Sequence, residues 1–462
     1  RRGTGIPKSN LQTLVMNEGP AGGRSPEINP RQNWKPLPNT GDYRVYDASD
    51  GKLLMYVVRR EDTGGIGHVN HFHNGKKWRR DVYDSRGFLS SVQILDRETS
   101  SIVHETFMRP DGSASIIKTY RTNDEIDHIQ IIDETGHLVR RLDDEGELSR
   151  YWLNEYVNRD DRYHVLFIDK NRMLYEPAVD VRDMQPNPER VLVVPIVHSL
   201  HTRDHRRPGQ GPEKRDYAGI LRDIRRPDAL VTLTEEQKSD ILKRYGQAPI
   251  CVIGHAYNSR VPPLEFGLRD RRKLVYLARY STEKNHHMAI RAFRRVVDAV
   301  PEATLHCYGF DTLSMPVLPA LRRLVRDLGL ENSVFLNGWA QDAATIYETA
   351  GLAIITSQAE AFSLTVMESL CHGCPVIGFD VPYGPRALVE HGRDGFLVPF
   401  GDEAAFADHI VRILQDETLH RDLSRQARQK AGHFSSAQMA RRWLELFEML
   451  SIRVGHEKAQ CA

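Results

Sequence analysis

The spacing of apolar and polar positions changes twice along the chain, and each change marks a different kind of layer. Residues 1–42 show little periodicity: "NEGPAGGRSPEINPRQNWKPLPNTG" reads as loop, with "LQTLV" the one candidate strand. From 43 to 158, short runs of β-branched and aromatic residues alternate with acidic-glycine turns. These turns are "DASDG", "HNG", "DSRG", "RPDG", "DETG" and "DDEG", ending at Gly51, Gly75, Gly87, Gly112, Gly136 and Gly146. Asp or Asn before Gly supplies the positive-φ corners of hairpins, so the pattern predicts an antiparallel meander. Its edges and open face call for a partner. From about 161 the period switches. "YHVLFID", "RVLVVPIVH" and "DALVTLT" read as buried strands, and "EEQKSDILKRYG" as a helix closed by Gly246. "PLEFGLRDRR" (263–272) reads as a connector. Strands "LVYLAR", "TLHCYG", "VFLNG", "LAIIT" and "PVIGF" then alternate with helices, the first of which gathers Ala289, Phe293, Val296, Val297 and Val300 on one face. Such alternation means parallel sheets with helices on both sides.

The expected fold is therefore α/β, with two Rossmann-like domains facing a cleft and an antiparallel β-meander inserted in the N-terminal one. Its parts are an N-terminal remnant of the first domain (1–42), the meander (43–158), the N-terminal Rossmann-like domain (159–265), a second such domain (266–432) and a terminal helix (433–462). In that helix "MARRWLELFEML" places Met439, Trp443, Leu446, Phe447 and Leu450 on one stripe. It reads as a core-facing brace crossing back to the first domain rather than a membrane-surface helix.

Composition narrows the function classes. A chain of 462 residues is too long for one core, and 40% hydrophobic with 27% charged residues is ordinary for a globular protein in water. A net charge of +1 gives no global field for nucleic acid, and none is expected as a partner. No apolar run approaches the roughly 18 residues of a membrane span, and no signal-peptide pattern is present. A cytoplasmic protein with at most peripheral membrane contact is expected. The five cysteines are sparse and odd in number, which favours reduced thiols. "CHGC" (371–374) has metal-like spacing, but without a second pair it reads as helix-end packing.

The chemistry concentrates at "EAFSLTVME", where Glu360 and Glu368 stand eight positions apart across a loop that becomes a helix. In open α/β sheets ligands sit beyond the carboxyl ends of strands, and "LAIIT" ends just before this loop. The helix start offers unpaired N–H groups at Ser363, Leu364 and Thr365, a seat for phosphate, while Val366, Met367, Leu370 and Cys371 face the core. Alone, the two glutamates would read as solvated surface carboxylates. Their setting reverses that reading, because "ARYSTEKN" adds Arg279 and Lys284 at the end of the domain's first strand. Cations at a helix start oppose its dipole, and a bound anion explains them better than solvent does.

The stretch "ITSQAEAFSLTVMESLCHGCPVIGFDVPYGPRALVEHGRDGFLVPFGD" resembles the C-terminal donor domain of retaining GT-B glycosyltransferases of family 4, with their Glu-x7-Glu motif. The wording "VPYGPRALVEHGRDGFLV" is most similar to the bacterial poly(glycerol-phosphate) α-glucosyltransferase and teichoic-acid glycosyltransferase group, which includes transferases that glycosylate serine-rich adhesins. The likeness is clearest over about 270–430 and weaker over 160–260. It implies that 266–432 binds a nucleotide sugar and that the meander serves acceptor binding and homo-oligomer assembly. It also implies that Glu368 holds the ribose hydroxyls, Glu360 the donor sugar, and the amides of Ser363, Leu364 and Thr365 the diphosphate. Arg279 and Lys284 match an Arg-x4-Lys signature and would neutralise the leaving diphosphate, where fixed positive charge stabilises a developing anion. A histidine after an N-domain strand completes the set. In "VVPIVHSLHTRDH" both His198 and His201 qualify; His198 is preferred, and a packed core histidine is the alternative.

Nothing resembles an Asp-x-Asp metal site, so no metal and no cofactor beyond the UDP-sugar donor are expected. The implied reaction moves glucose or N-acetylglucosamine from a UDP-sugar to a hydroxyl of a teichoic-acid polyol phosphate. Two alternatives stand beside it: O-glycosylation of Ser/Thr in a serine-rich surface glycoprotein, and a non-catalytic paralogue that chaperones a partner transferase. One departure is the opening. Family members begin with a strand and a Gly-rich loop, whereas only "RRGTGIPKSNLQTLVMN" precedes the meander, which places that loop upstream of residue 1 or makes the domain degenerate. Meander aromatics (Tyr46, Phe72, Trp78, Tyr83, Phe107, Tyr120) read as sheet packing, with a carbohydrate platform as second reading. The basic run at 203–226 reads equally as a solvated excursion or as a contact for a polyanionic acceptor.

Overall fold

The computed structural model describes residues 31–460 except 39, 61–62, 260 and 312–314. The "LQTLV" strand and most of the expected 1–42 remnant lie outside the described residues. Two compact units divide the chain, with the boundary between Trp152 and Leu153.

In the first unit ten strands pair antiparallel in sequence order: β1 (Gln32–Pro36), β2 (Tyr43–Asp47), β3 (Leu53–Arg59), β4 (Ile66–His73), β5 (Lys76–Tyr83), β6 (Leu89–Leu95), β7 (Ile102–Met108), β8 (Ala114–Tyr120), β9 (Ile126–Ile132) and β10 (Leu138–Leu142). Gly51, Gly75, Gly87, Gly112 and Gly136 take the positive φ that hairpin corners require. Two details depart from the sequence reading. The sheet starts before residue 43, because β1 pairs with β2 in the stretch read as loop. An edge strand ending at Pro36 loses little for the missing donor, and Trp34 packs edge-on to Tyr43 at 5.8 Å. Gly146 is not a corner but lies in the helix Glu145–Val157. Asp144 Oδ1 accepts from the N–H of Glu147 at 2.8 Å, and Glu147 Oε2 accepts from the N–H of Asp143 at 2.8 Å. This reciprocal capping makes a helix start out of what looked like a turn. Val45, Met55, Val57, Val69 and Tyr83 form the core of the sheet, and the other five meander aromatics are half-buried.

The second unit holds two parallel sheets. Strands β11 (His164–Ile168), β12 (Val191–Val197), β13 (Leu230–Thr232) and β14 (Ile250–Val252) lie side by side in sequence order. Strands β15 (Asp270–Leu277), β16 (Thr304–Tyr308), β17 (Val334–Asn337), β18 (Ala350–Ile355), β19 (Val376–Asp380) and β20 (Gly395–Pro399) are ordered β17-β16-β15-β18-β19-β20. The order reverses between β15 and β18, and a crevice opens at such a switch point. The final helix, Ser436–Gln460, buries Leu446 and Leu450 against Leu192, Val194 and Val231. Trp443 and Phe447 meet Phe167 edge-on at 5.1 and 5.7 Å. Leu446 and Leu450, the fully buried pair, each stabilise by about 1.5–3 kcal/mol, which fixes the brace to the first sheet.

The stretch 263–272 is more than a connector. Its Arg269 is buried and donates to Glu348 Oε1 (3.1 Å) and to the carbonyls of Tyr347 and Ala350. Glu348 also accepts from the N–H of Leu264 (2.6 Å), pairs with His372 Nδ1 (2.7 Å) and meets Arg428. Cys371 and Cys374 are buried in the same core. Among the described residues no group of three or more His, Cys, Asp or Glu is placed to hold a metal ion, and no helix is long and apolar enough to cross a membrane.

Candidate active site

A cavity of about 550 Å³ opens at the switch point, between the segment after β15 and the loop after β18. It gathers Arg279, Lys284, Glu360, Ser363, Leu364, Thr365 and Glu368 from the carboxyl-terminal half, and His198 from the amino-terminal half. Eight of the nine residues singled out in the sequence thus share one space.

The helix Leu364–Cys371 aims its amino end into this cavity. Ser363, its first flanking residue, has left-handed backbone (φ 72°, ψ 81°) and makes no side-chain cap, and its buried Oγ has no partner among the described residues. The first amides of the helix are left for a ligand. The preceding loop is pinned from behind: the N–H groups of Tyr383 and Gly384 donate to the Glu360 carbonyl at 2.7 and 2.8 Å. Gly384 has no room for a side chain, since a Cβ there would collide with the Phe362 backbone.

Lys284 closes a short 3-10 turn, Thr282–Lys284, and its carbonyl accepts from Tyr276 Oη (2.5 Å) and Thr356 Oγ1 (3.0 Å). Its Nζ lies 2.6 Å from Glu360 Oε1, both side chains being mostly buried. Arg279 is half-exposed and pairs with Glu283 at 2.9 Å. Each cation is balanced by a carboxylate that an incoming dianion can displace. Glu368 has no cation beside it among the described residues, and burial raises its pKa. One carboxylate has a cation in contact, and the other is set apart in a desolvated position.

On the opposite wall His198 is the first residue past β12, and its Nε2 lies 2.7 Å from Asp169 Oδ1, just past β11. His201 is a correction. It is fully buried outside the cavity, stacked on Tyr383 at 6.2 Å and edge-on to Tyr245. Burial, then the charges of Arg244 and Lys214, lower its pKa to about 4. The reason is local: four residues after the strand the chain has turned away, and the His201 carbonyl accepts from the N–H of Lys214 at 3.0 Å.

Sequence reading missed Asp169, His255 and Trp339. His255 comes three residues past β14 and His198 one past β12, and a histidine shortly after a strand was the available signal. Trp339 is 70% exposed at the cavity rim, next to Phe310 at 5.8 Å. The signal was a glycine before each aromatic at a strand end, "YGF" and "NGW": the N–H of Gly309 donates to the Gly338 carbonyl, and a Cβ on Gly309 would collide with Ala278. Of the basic run, Arg203, His205 and Arg206 line a second cavity of about 830 Å³ together with Gln358 and Arg386.

Two parallel α/β sheets facing one cavity, with cations, helix amides and two acids at the switch point of the second, define a GT-B glycosyltransferase fold. The protein-family model described as "Glycosyl transferases group 1" matches residues 265–430. The chain is similar to the poly(glycerol-phosphate) alpha-glucosyltransferase of Bacillus subtilis (strain 168), 26% identical over 417 residues, covering 87% of this chain and 59% of that relative. It is also similar to the poly(ribitol-phosphate) alpha-N-acetylglucosaminyltransferase of Staphylococcus aureus (strain COL), 21% identical over 412 residues, covering 88% and 78%. Among solved structures, the pneumococcal O-GlcNAc transferase GtfA in complex with UDP and GlcNAc superposes with a TM-score of 0.76 at 18% identity, covering 92% of this chain and 82% of that one.

Proposed function

We propose that this protein transfers glucose or N-acetylglucosamine from a UDP-sugar to a hydroxyl of a teichoic-acid polyol phosphate, with retention of configuration and without a metal or cofactor. The observation that carries the reading is the Lys284–Glu360 pair at 2.6 Å beside an uncapped helix start, at the switch point of the sheet. Arg279, Lys284 and the amides of Ser363, Leu364 and Thr365 take the diphosphate, Glu368 the ribose diol and Glu360 the donor sugar. The acceptor attacks from the face the diphosphate leaves. The sugar–phosphate bond breaks as the new glycosidic bond forms, and the departing phosphate oxygen takes the acceptor's proton. Glu360 orients the sugar and need not bond to it, while His198 faces the forming cation. The similarity to two transferases named for polyol-phosphate acceptors supports this acceptor class.

The likeness to an O-GlcNAc transferase favours a second reading, with a Ser/Thr glycoprotein acceptor. The presence of Glu360, Glu368 and Lys284 speaks against a non-catalytic paralogue. On this reading the protein works in the cytoplasm with at most peripheral membrane contact, and copies join through the meander edge, where Leu138 and Val139 of β10 are each 54% exposed.

The test offers the full chain UDP-glucose and UDP-N-acetylglucosamine with a polyol phosphate and with a serine-rich peptide, and reads product mass. Transfer to the polyol phosphate is expected, and Glu360→Gln lowers it by about 100-fold or more while the chain still folds cooperatively. Transfer to the peptide alone supports the second reading. UDP binding without transfer to either supports the paralogue, and light scattering on the same sample returns a multiple of the chain mass if the meander joins copies.

A further inference from the structure

Between His198 and the Glu360 loop lies a residue that neither motif includes. His255 stands three positions past the end of β14, half-buried on the wall of the cavity. No hydrogen bond holds its ring among the described residues; two ring contacts do. Its face lies parallel to His198, with centroids 6.2 Å apart and planes 12° from parallel. Its edge contact is with Phe362, at 5.2 Å and 81°. The two contacts belong to different sheets, since His198 follows β12 of the first and Phe362 sits in the loop after β18 of the second.

Both ends of this stack are anchored. His198 is held on its far side by Asp169 at 2.7 Å. Phe362, only 7% exposed, lies in the loop whose backbone is backed by Gly384 and tied through the Glu360 carbonyl to Tyr383. Gly254 completes the fit, because a Cβ there would lie 2.6 Å from Phe362 Cε2. The row Asp169, His198, His255, Phe362 therefore runs unbroken from the end of β11 to the residue just before Ser363.

We propose that His255 is a positioning residue that holds His198 in register with the Glu360 loop, so that the two walls of the sugar site keep their spacing. This rests on the glycosyl-transfer reading above. Diphosphate affinity comes from Arg279, Lys284 and the helix amides, all on the second sheet, and does not pass through His255. Alignment of the reacting sugar needs both walls, and a displacement of about 1 Å at a reacting centre can cost on the order of 100-fold in rate. Burial, then the charge of His198, lowers the pKa of His255, which keeps a neutral ring against its neighbour.

The experiment measures UDP affinity by calorimetry and kcat and KM for the UDP-sugar in the full chain, in His255→Ala and in His255→Phe. The expected result is UDP affinity within about twofold in both variants, kcat down by about tenfold or more in His255→Ala, and most of that loss restored in His255→Phe. Unchanged kcat in His255→Ala overturns the proposal. So does a Phe variant as slow as the Ala variant with UDP affinity intact, because the imidazole itself then does the chemistry. If His255→Ala also loses UDP, the Phe variant decides in the same terms. A wild-type chain that neither binds UDP nor turns over the sugar fails the glycosyl-transfer reading itself, a different result from a chain that binds and turns over but ignores His255.

Discussion

Glu360 and Glu368 carry the same functional group in different surroundings, and the difference is testable by pH. Glu360 has Lys284 at 2.6 Å, whereas burial alone acts on Glu368 and raises its pKa. A ribose diol donating two hydrogen bonds needs both oxygens of an ionised carboxylate. Glu368 takes its proton at a pH above the ordinary glutamate value of about 4.3, so UDP affinity falls on acidification before an ordinary glutamate would titrate. Titrations at falling pH read this as a difference: both proteins lose affinity as the terminal phosphate of UDP takes a proton, Glu368→Gln is weaker throughout, and the wild type falls more steeply. Equal slopes for the two proteins remove Glu368 from the ribose. At this scale the sequence was most legible where site residues fall within one strand-loop-helix run, as Glu360, Ser363 and Glu368 do. His255 and Trp339 were not, because they reach the cavity from strand ends far apart in sequence. The choice between His198 and His201 turned on where β12 ends, which apolar pattern locates only to within a residue or two.

At the scale of elements, apolar periodicity found strands and helices but not the polar ties between them. The Arg269, Glu348, His372 and Arg428 cluster fixes the start of β15 to the helices behind it, yet Arg269 lies in the segment read as a connector and His372 in the one read as helix-end packing. Burial works to raise the Glu348 pKa, but the Leu264 N–H, Arg428 and His372 more than offset it and hold the carboxyl below its ordinary value. Removing one partner of a buried charge network costs about 3–5 kcal/mol, because the remaining charges lose their counter-ion, and Glu348→Ala is expected to lower the urea stability by that amount. The pH dependence has a definite sign. A carboxyl depressed in the folded state contributes stability that is fully present above its unfolded pKa and is lost as pH falls through the folded value. Urea midpoints in acid therefore drop for the wild type in a window below the ordinary glutamate range. Glu348→Gln lacks that component, and a variant with the same acid slope contradicts it. The "DDEG" segment teaches the same lesson in reverse: acidic residues before glycine specify a corner until a glutamate three positions on completes a helix cap.

For the whole molecule, the two period changes were enough to separate a meander from two parallel sheets and to assign the last helix as a brace. Strand order was not, since period and propensity say which segments are strands but not that β15 lies between β16 and β18. That order makes the switch point, and with it the cavity. The central claim is that this cavity grips a nucleotide diphosphate through Lys284 and the start of the helix at Leu364. Calorimetric titration of UDP into the full chain and into Lys284→Ala tests it most directly. The account predicts that UDP binds the wild type and that the variant loses about tenfold or more in affinity, the worth of one charged hydrogen bond. A chain that leaves UDP unbound, or a variant that binds it equally well, would contradict it.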